Sequence, residues 1–250
     1  MSLAELQHVK VSVASGSEQE LIQAPSTVTV VTETQWQAMG ATSLADVLET
    51  IPGIHVSLSK TALGTNIYSI RGLQSDLNGQ VIVLLNGKTM RASTGGSTQF
   101  GFKKRLNDLK QIEIIRGPNS ALYGADGFSG VINLVTKDVS QTGASTGILV
   151  GEFNTQQVWA NIPFELGSLK SLFTFNISKS DDDNNRIVQS DLQTSLDAIF
   201  ETNASVAPST IDQSYDAFEF TWLVEGKNWS TELWHTGNKQ KLGPGAAQAL

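Results

Sequence analysis

Two kinds of structure follow one another in this sequence. An α+β domain with a small mixed sheet and short helices runs to about Asp138, and antiparallel β strands follow it. Three observations predict this. Up to Asp138, short runs of β-branched residues alternate with capped helical segments and glycine-bearing loops. Beyond it, apolar and polar residues alternate with the two-residue period of a strand. The charge divides at the same place: residues 1–140 carry 11 Lys and Arg against 11 Asp and Glu, and residues 141–250 carry 6 against 13, so the whole net charge of −7 lies in the second region.

Residues 1–24 are polar, with a single short alternation at Val9-Lys10-Val11-Ser12-Val13, and read as a flexible arm. Pro25 precedes Thr27–Thr32, a β-branched first strand. Thr42 or Ser43 caps a helix whose Leu44, Val47, Leu48 and Ile51 share one face, and Pro52-Gly53 ends it. Ile67–Arg71 and Val81–Leu85 are further strands. The second does not alternate, which implies burial on both faces. Asn86-Gly87 forms a tight turn from which Lys88-Thr89-Met90 returns as a hairpin. A polar stretch, Ala92–Gly101, leads to Leu106–Leu109 and the strand Ile112–Ile115. A short helix with loops fills 118–130, and Val131–Thr136 closes the domain.

In the second region Phe173, Phe175 and Ile177 share one strand face, and Phe218, Phe220, Trp222 and Val224 repeat the device. Gly167-Ser168 and Glu225–Asn228 are short turns, whereas Asp181–Asp212 is a long polar loop. Short turns, long loops and outward aromatic residues suit a membrane β-barrel, and a soluble sandwich alternates in the same way. Five strands are expected, near 144–152, 156–165, 170–180, 214–226 and 228–238.

Composition excludes several function classes. Of the 250 residues 40% are hydrophobic and 16% charged, a folded composition. The longest aliphatic run, Val81–Leu85, falls far short of the roughly 20 residues of a membrane helix. Without cysteine there is no disulfide, thiolate metal site or thiol nucleophile. Net negative charge argues against nucleic-acid binding. The glycines at 124, 127 and 130 lack the spacing of a phosphate loop. Ser129 is not in a nucleophile elbow, and His8, His55 and His235 have no triad spacing, so no catalytic residue is expected. Asp181–Asn185 offers oxygens, but Arg186 and Leu192 stand where a calcium loop needs glycine and glutamate, so no metal is expected there. The Asn-x-Ser sites at Asn176, Asn203 and Asn228 are discounted, two of them falling in predicted strands. No cofactor is expected. The start Met1-Ser2-Leu3 has no basic segment followed by an apolar one, and is read as carrying no export signal.

One string is far more specific. Ile115-Arg116-Gly117-Pro118-Asn119-Ser120-Ala121-Leu122-Tyr123-Gly124, continuing to Gly130-Val131-Ile132-Asn133-Leu134-Val135-Thr136-Lys137, resembles the plug signature of TonB-dependent outer-membrane receptors. Leu44–Leu48 with Ile51-Pro52-Gly53-Ile54, then Ile70-Arg71-Gly72, then Val83–Gly87 agree in order and spacing. The family usually has aspartate where Asn86 stands, a departure that keeps the turn chemistry. The resemblance is strong over residues 25–138 and architectural over 139–250.

The resemblance implies a plug inside an outer-membrane barrel of about 22 strands. The plug would bind a scarce nutrient at its outer apices and answer at its N-terminus to the periplasmic C-terminal domain of TonB. Val9, Lys10, Val11, Ser12, Val13 and Ala14 are similar to the TonB box, a segment that pairs with a TonB strand. The apices would be Ser57–Asn66, Gln74–Asn78 and Ala92–Phe102, with Lys60, Thr61, Asn66, Gln74, Ser75, Asp76, Asn78, Phe100 and Phe102 as ligand candidates. A small-molecule metal chelate is the expected ligand class, a ferric siderophore by frequency; cobalamin, haem and oligosaccharides use the same plug. Arg71 and Arg116 would pair with glutamates on later barrel strands. With those strands outside this chain, both should be exposed or recruit substitute carboxylates. The alternative is that they bond loop carbonyls of the plug itself. Five strands make an incomplete outer-membrane barrel, and the last residues lack the terminal aromatic of complete ones, so the chain is expected to be a truncated form. The competing function is a soluble periplasmic or secreted plug-like binding module.

Overall fold

The computed structural model describes residues 10–11, 19–20, 28–58, 66–75, 78–90, 104–118, 120–181, 183, 185–211 and 214–241. The chain divides into two compact units, Met1–Lys137 and Asp138–Leu250.

In the first unit β1 (Lys10–Val11) pairs antiparallel with β2 (Gln19–Glu20). Strand β3 (Val28–Thr32) runs into helix α1 (Glu33–Met39), and α2 (Leu44–Glu49) follows. Ser43 is the cap of α2: its hydroxyl accepts from the Asp46 N–H, and the Asp46 carboxylate accepts from the Ser43 N–H at 2.9 Å. Such a reciprocal cap satisfies two orphan donors, with a single cap worth about 1 kcal/mol. Strands β4 (Ile54–Leu58) and β5 (Asn66–Ile70) form a separate hairpin. Then come β6 (Val81–Leu85), β7 (Lys88–Thr89), β8 (Leu109–Arg116), the single-turn helix α3 (Ser120–Tyr123) and β9 (Gly130–Thr136).

The main sheet has the order β3-β8-β9-β6-β7, with β6 and β9 parallel and the other pairs antiparallel. All five residues of β6 are buried, as its non-alternating sequence requires. Asn86 and Gly87 both have positive φ, 50° and 76°, the conformation of a two-residue hairpin turn whose twist matches the strands. One face of the sheet holds Ile82, Leu84, Ile115 and Val131, with Val28 and Tyr123 packed against them.

In this unit three features depart from the sequence reading. Helix α1 has no apolar periodicity to announce it, because only Trp36 of its seven residues is buried; a Thr32–Gln35 capping box holds it instead of an apolar stripe. Ser57 and Leu58 belong to β4, paired with Ile67 and Asn66, so the expected apex loop from Ser57 loses its first two residues to a strand. Val11 is 1% exposed, so the arm does bury an apolar residue.

The second unit is one five-stranded antiparallel sheet in the order β10-β11-β12-β15-β16, open at both edges among the described residues. Its strands are β10 (Ser145–Gly151), β11 (Thr155–Leu166), β12 (Leu169–Ser180), β15 (Tyr215–Glu225) and β16 (Ser230–Gln240). The short pair β13 (Ile187–Val188) and β14 (Ser209–Thr210) lies within the long β12–β15 connection, together with helix α4 (Leu192–Phe200). The long polar loop read at 181–212 therefore contains a helix and a short strand pair.

Register sorts the side chains into two faces. Asn161, Thr174 and Thr221 lie in one cross-strand row, and Trp159, Asn176 and Glu219 in the next, giving a polar face. The opposite face aligns Ile162, Phe173, Trp222 and Leu233, then Ala160, Phe175, Phe220 and His235, then Val158, Ile177, Phe218 and Gly237. Phe173 and Phe220 rings lie 6.1 Å apart, and His235 sits 5.3 and 5.4 Å from Phe218 and Phe220. Ile148, Val150, Ile177 and Phe218 remain exposed on this face. Apolar outward and polar on the other side is the pattern of a lipid-facing barrel wall.

Candidate functional site

The best-defined part of the candidate ligand site is the base of the β4–β5 hairpin. Asn78, at φ 53°, turns its amide toward β5: Nδ2 donates to the Asn66 carbonyl at 2.5 Å, and Oδ1 accepts from the Tyr68 N–H at 2.8 Å. The Asn78 carbonyl accepts from the Val81 N–H at 3.1 Å, which continues the chain into β6. One side chain thus ties the stem of one expected apex loop to the segment that carries the next. Asn tolerates the left-handed backbone better than other side-chain-bearing residues, and its planar amide carries donor and acceptor groups side by side, one of each being used here.

Around this clamp Gln80 Nε2 donates to the Tyr68 carbonyl at 3.2 Å, and the Ser75 hydroxyl bonds Gln80 Oε1 while accepting from the Gly79 N–H at 3.0 Å. Tyr68 is 2% exposed; burial pushes its phenol up to about 12, with a bond to Asn66 opposing the shift.

The ligand candidates therefore separate. Asn66 and Asn78 are buried at 7% and 2%, with Asn78's amide committed to backbone groups, which corrects their reading as outward ligand contacts. A polar residue in a loop sequence signals a turn or an internal bond as readily as a ligand contact. Gln74 and Ser75 are exposed. Lys60, Thr61, Asp76, Phe100 and Phe102 lie outside the described residues, as do Val9, Ser12, Val13 and Ala14 of the TonB-box-like segment. Its Lys10 and Val11 pair with Glu20 and Gln19.

The two arginines also separate. Arg71 is exposed, at φ 54°, and its N–H donates to the Gly53 carbonyl at 2.7 Å. Arg116 instead reaches into its own unit: Nη1 donates to the Pro52 carbonyl at 2.8 Å and Nη2 to the Thr29 hydroxyl at 3.1 Å. Its Nε is buried without a hydrogen-bond partner among the described residues. The expectation of an exposed or carboxylate-paired Arg116 is corrected, and the reading in which it bonds a loop carbonyl is the one observed. A guanidinium keeps its charge when half-buried and so takes whatever acceptors its fork can reach.

Sequence reasoning passed over a polar cluster inside the sheet. Glu113 is 2% exposed in a row between Val30 and Asn133; its carboxylate accepts from Gln111 Nε2 at 2.8 Å and Asn133 Nδ2 at 3.1 Å. Asn133 Oδ1 accepts from the Gly87 N–H at 2.9 Å, and Asn86 bonds Thr136 through both ends of its amide. Burial raises the Tyr123 phenol, and the nearby Glu113 charge raises it further. The signal was present as polar residues at Glu113 and Asn133 in otherwise apolar strands. Among the described residues no group of His, Cys, Asp and Glu is arranged to hold a metal. Asp183 accepts from the Asn185 and Arg186 N–H groups and pairs with Arg186 Nε at 3.3 Å.

Comparison with known proteins agrees with this architecture. Residues 20–131 match the family model described as the TonB-dependent Receptor Plug Domain. The chain is 34% identical over 128 residues to the vitamin B12 transporter BtuB of Photobacterium profundum, a match covering 51% of this chain and 20% of that protein. It is 33% identical over 127 residues to a hemin receptor of Yersinia enterocolitica, covering 51% and 18%. The matched part thus spans about a fifth of the length of these curated relatives. Among solved structures, the pyoverdine outer membrane receptor FpvA of Pseudomonas aeruginosa superposes with a TM-score of 0.65 at 17% identity, covering 92% of this chain and 29% of that one. The first unit thus carries a TonB-dependent receptor plug domain over residues 20–131, and the chain as a whole shares the fold of such receptors, a plug followed by antiparallel strands that here form an open sheet.

Proposed function

We propose that this chain is the plug and first barrel strands of an outer-membrane receptor that takes up a scarce nutrient, most simply a ferric siderophore, with energy delivered through TonB. The observation that carries the reading is the plug itself: residues 20–131 match the plug family, and the Asn78 clamp braces the stem of an expected apex loop. The outward apolar face of the second unit supports residence in the outer membrane and disfavours the soluble module, which would cover that face. Curated relatives named for vitamin B12 and hemin leave several ligand classes within the family; solved relatives named for pyoverdine, alcaligin and ferric enterobactin favour the siderophore.

Val9 to Ala14 serve as the TonB-binding strand. The pairing of Lys10 and Val11 with Gln19 and Glu20 supports an extended conformation for this segment. Gln74 and Ser75, with Lys60, Thr61, Asp76, Phe100 and Phe102, contact the ligand. Arg71, exposed beside the plug's Gly53 turn, is the residue available to pair with a carboxylate of a later barrel strand.

Two measurements test this. Deleting the gene that encodes the chain should abolish uptake of one member of a panel of radiolabelled ferric siderophores, haem and cobalamin; uptake of all of them at the parental rate would sink the proposal. Separately, Val11→Pro removes a ladder donor and should abolish capture by the TonB C-terminal domain, whereas undiminished capture would remove the TonB-box assignment.

A further inference from the structure

The apolar wall of the second unit ends in a charged row. One residue pair beyond the row of Val158, Ile177, Phe218 and Gly237, the same face presents Gln156, Lys179, Asp216 and Lys239, aligned across four strands. A groove of about 600 Å³ runs between the two rows. It lies on the apolar side: both of these rows line it, and the intervening row, with Gln157 and Ser178, borders it from the sheet between them, whereas the next rows of the polar face do not. Gly237 keeps the floor low, and the Phe218 ring leans over the place a Cβ would occupy there.

Lys179 and Lys239 are exposed, and among the described residues neither forms an ion pair, with Asp216 or with any other acid. The row carries two ammonium groups and one carboxylate, a net positive charge at the rim of an apolar groove. This rim is the end of the strands where the long connection between Ser180 and Tyr215 leaves, the end that faces outward in outer-membrane barrels.

We propose that this groove binds an acyl lipid with a phosphate-bearing headgroup from the outer leaflet. The acyl chain lies over Val158, Ile177 and Phe218, and the phosphate meets the ammonium groups of Lys179 and Lys239. The chemistry follows from the two rows. Lysine stems extend along apolar surface while the ammonium stays at the polar boundary, where a phosphate sits. A groove of this volume is in the range of small-ligand sites. A neutral or zwitterionic headgroup would gain nothing from the net charge of the row. The inference rests on the membrane reading above, because a sheet that never meets lipid has no such occupant.

The test uses the full chain in dodecyl maltoside micelles doped equally with dioleoyl phosphatidic acid and dioleoyl phosphatidylcholine, with retained lipid read by native mass spectrometry. The expected result is about a fivefold preference for phosphatidic acid, from the attraction of one net positive charge. Lys179→Gln with Lys239→Gln should erase it, while Lys227→Gln, at the short-turn end, should leave it intact. Inorganic phosphate at the same concentration should not displace the lipid. Preference unchanged in the double variant, or displacement by free phosphate, overturns the lipid site while the chain still enters micelles. A chain that fails to enter micelles at all overturns the membrane reading and this inference together.

Discussion

Arg116 and Arg71 occupy equivalent-looking Arg-Gly positions in the sequence, yet their surroundings assign them different work. Arg116 spans two acceptors on separate segments, the Pro52 carbonyl and the Thr29 hydroxyl, so it staples the turn between α2 and β4 to β3 and β8. Arg116→Ala should therefore destabilise the first unit by about 1–3 kcal/mol, the range for losing hydrogen bonds from a charged donor. Arg116→Lys should recover little of it, because a single ammonium cannot reach both acceptors. Arg71→Ala, at an exposed side chain, should cost less than about 0.5 kcal/mol. Urea unfolding of the full chain, read by amide exchange in β8 and β9, would check both; equal losses would erase the distinction. Tyr68 is the buried partner of the Asn78 clamp. The phenol is raised by burial, so the folded state favours its neutral form. That contribution is complete below about pH 10, where the unfolded tyrosine is neutral as well, and is lost as pH rises toward about 12. Tyr68→Phe should therefore flatten the loss of stability across that alkaline window, which a urea series from pH 9 to 12 would measure.

Helix α4 shows how an element arises in a segment whose composition reads as loop. Asp191 caps it, accepting from the Thr194 N–H at 2.8 Å. Asp197 gathers the return of the chain: it accepts from Gln193 Nε2, the Thr202 hydroxyl, and the Ala204 and Ser205 N–H groups, at 2.6 to 3.1 Å. The Thr202 hydroxyl is the largest of the influences that hold the Asp197 carboxyl well below the usual carboxylate range, followed by the Ser205 N–H. A depressed folded value means the carboxylate supports the loop at every pH above about 4, where the unfolded residue is also ionised, and the support fades as pH falls through the lower folded value. Asp197→Asn should increase amide exchange at Ala204 and Ser205 at pH 7, and the wild-type loop should approach that behaviour in strong acid. Protection unaffected by the substitution would mean that the helix holds the loop without this carboxylate. The exposed Leu192, Ile199 and Phe200 of α4 do not contribute to that hold.

The two units expose different surfaces. The first hides its apolar residues in a sheet core, with Leu84, Ile112, Val131 and Ile132 at 0% exposure. The second turns Ile148, Val150 and Ile177 outward, at 76%, 77% and 58%. A charge on that outward face should obstruct entry into a bilayer. Phe175→Lys, in the middle of the band, should disfavour insertion by about 2–4 kcal/mol, and Asn176→Lys, one residue along on the polar face, should cost far less. Partition of the full chain between urea-solubilised and liposome-bound forms would measure the difference. Equal effects would contradict the assignment of the two faces.

Periodicity and turn chemistry are local properties, and they are legible in the order of residues alone: the buried run at β6, the Asn86-Gly87 hairpin, a cap at Thr42 or Ser43, the five long strands and the plug signature from Ile115 to Lys137. What depends on partners distant in sequence is not legible there. Asn78-Gly79 is the same dipeptide as Asn86-Gly87, but only the fold decides that the Asn78 amide closes on Asn66 and Tyr68, 12 and 10 residues away. Nothing near Arg116 in sequence reveals Pro52 and Thr29 as its acceptors, since they lie 64 and 87 residues away. Glu113 is tolerated in the core because Asn133, 20 residues on, is its cross-strand neighbour. Backbone conformation answers largely to the nearest few side chains, so most strands, the Asn86-Gly87 turn and the plug signature could be read from residue order, whereas α1 and α4, held by capping boxes and exposed on most of their surface, could not. A hydrogen bond answers to whatever the completed chain brings within about 3 Å, so only the tertiary structure distinguishes the polar residues that hold the plug together, such as Asn78 and Arg116, from those left exposed, such as Gln74.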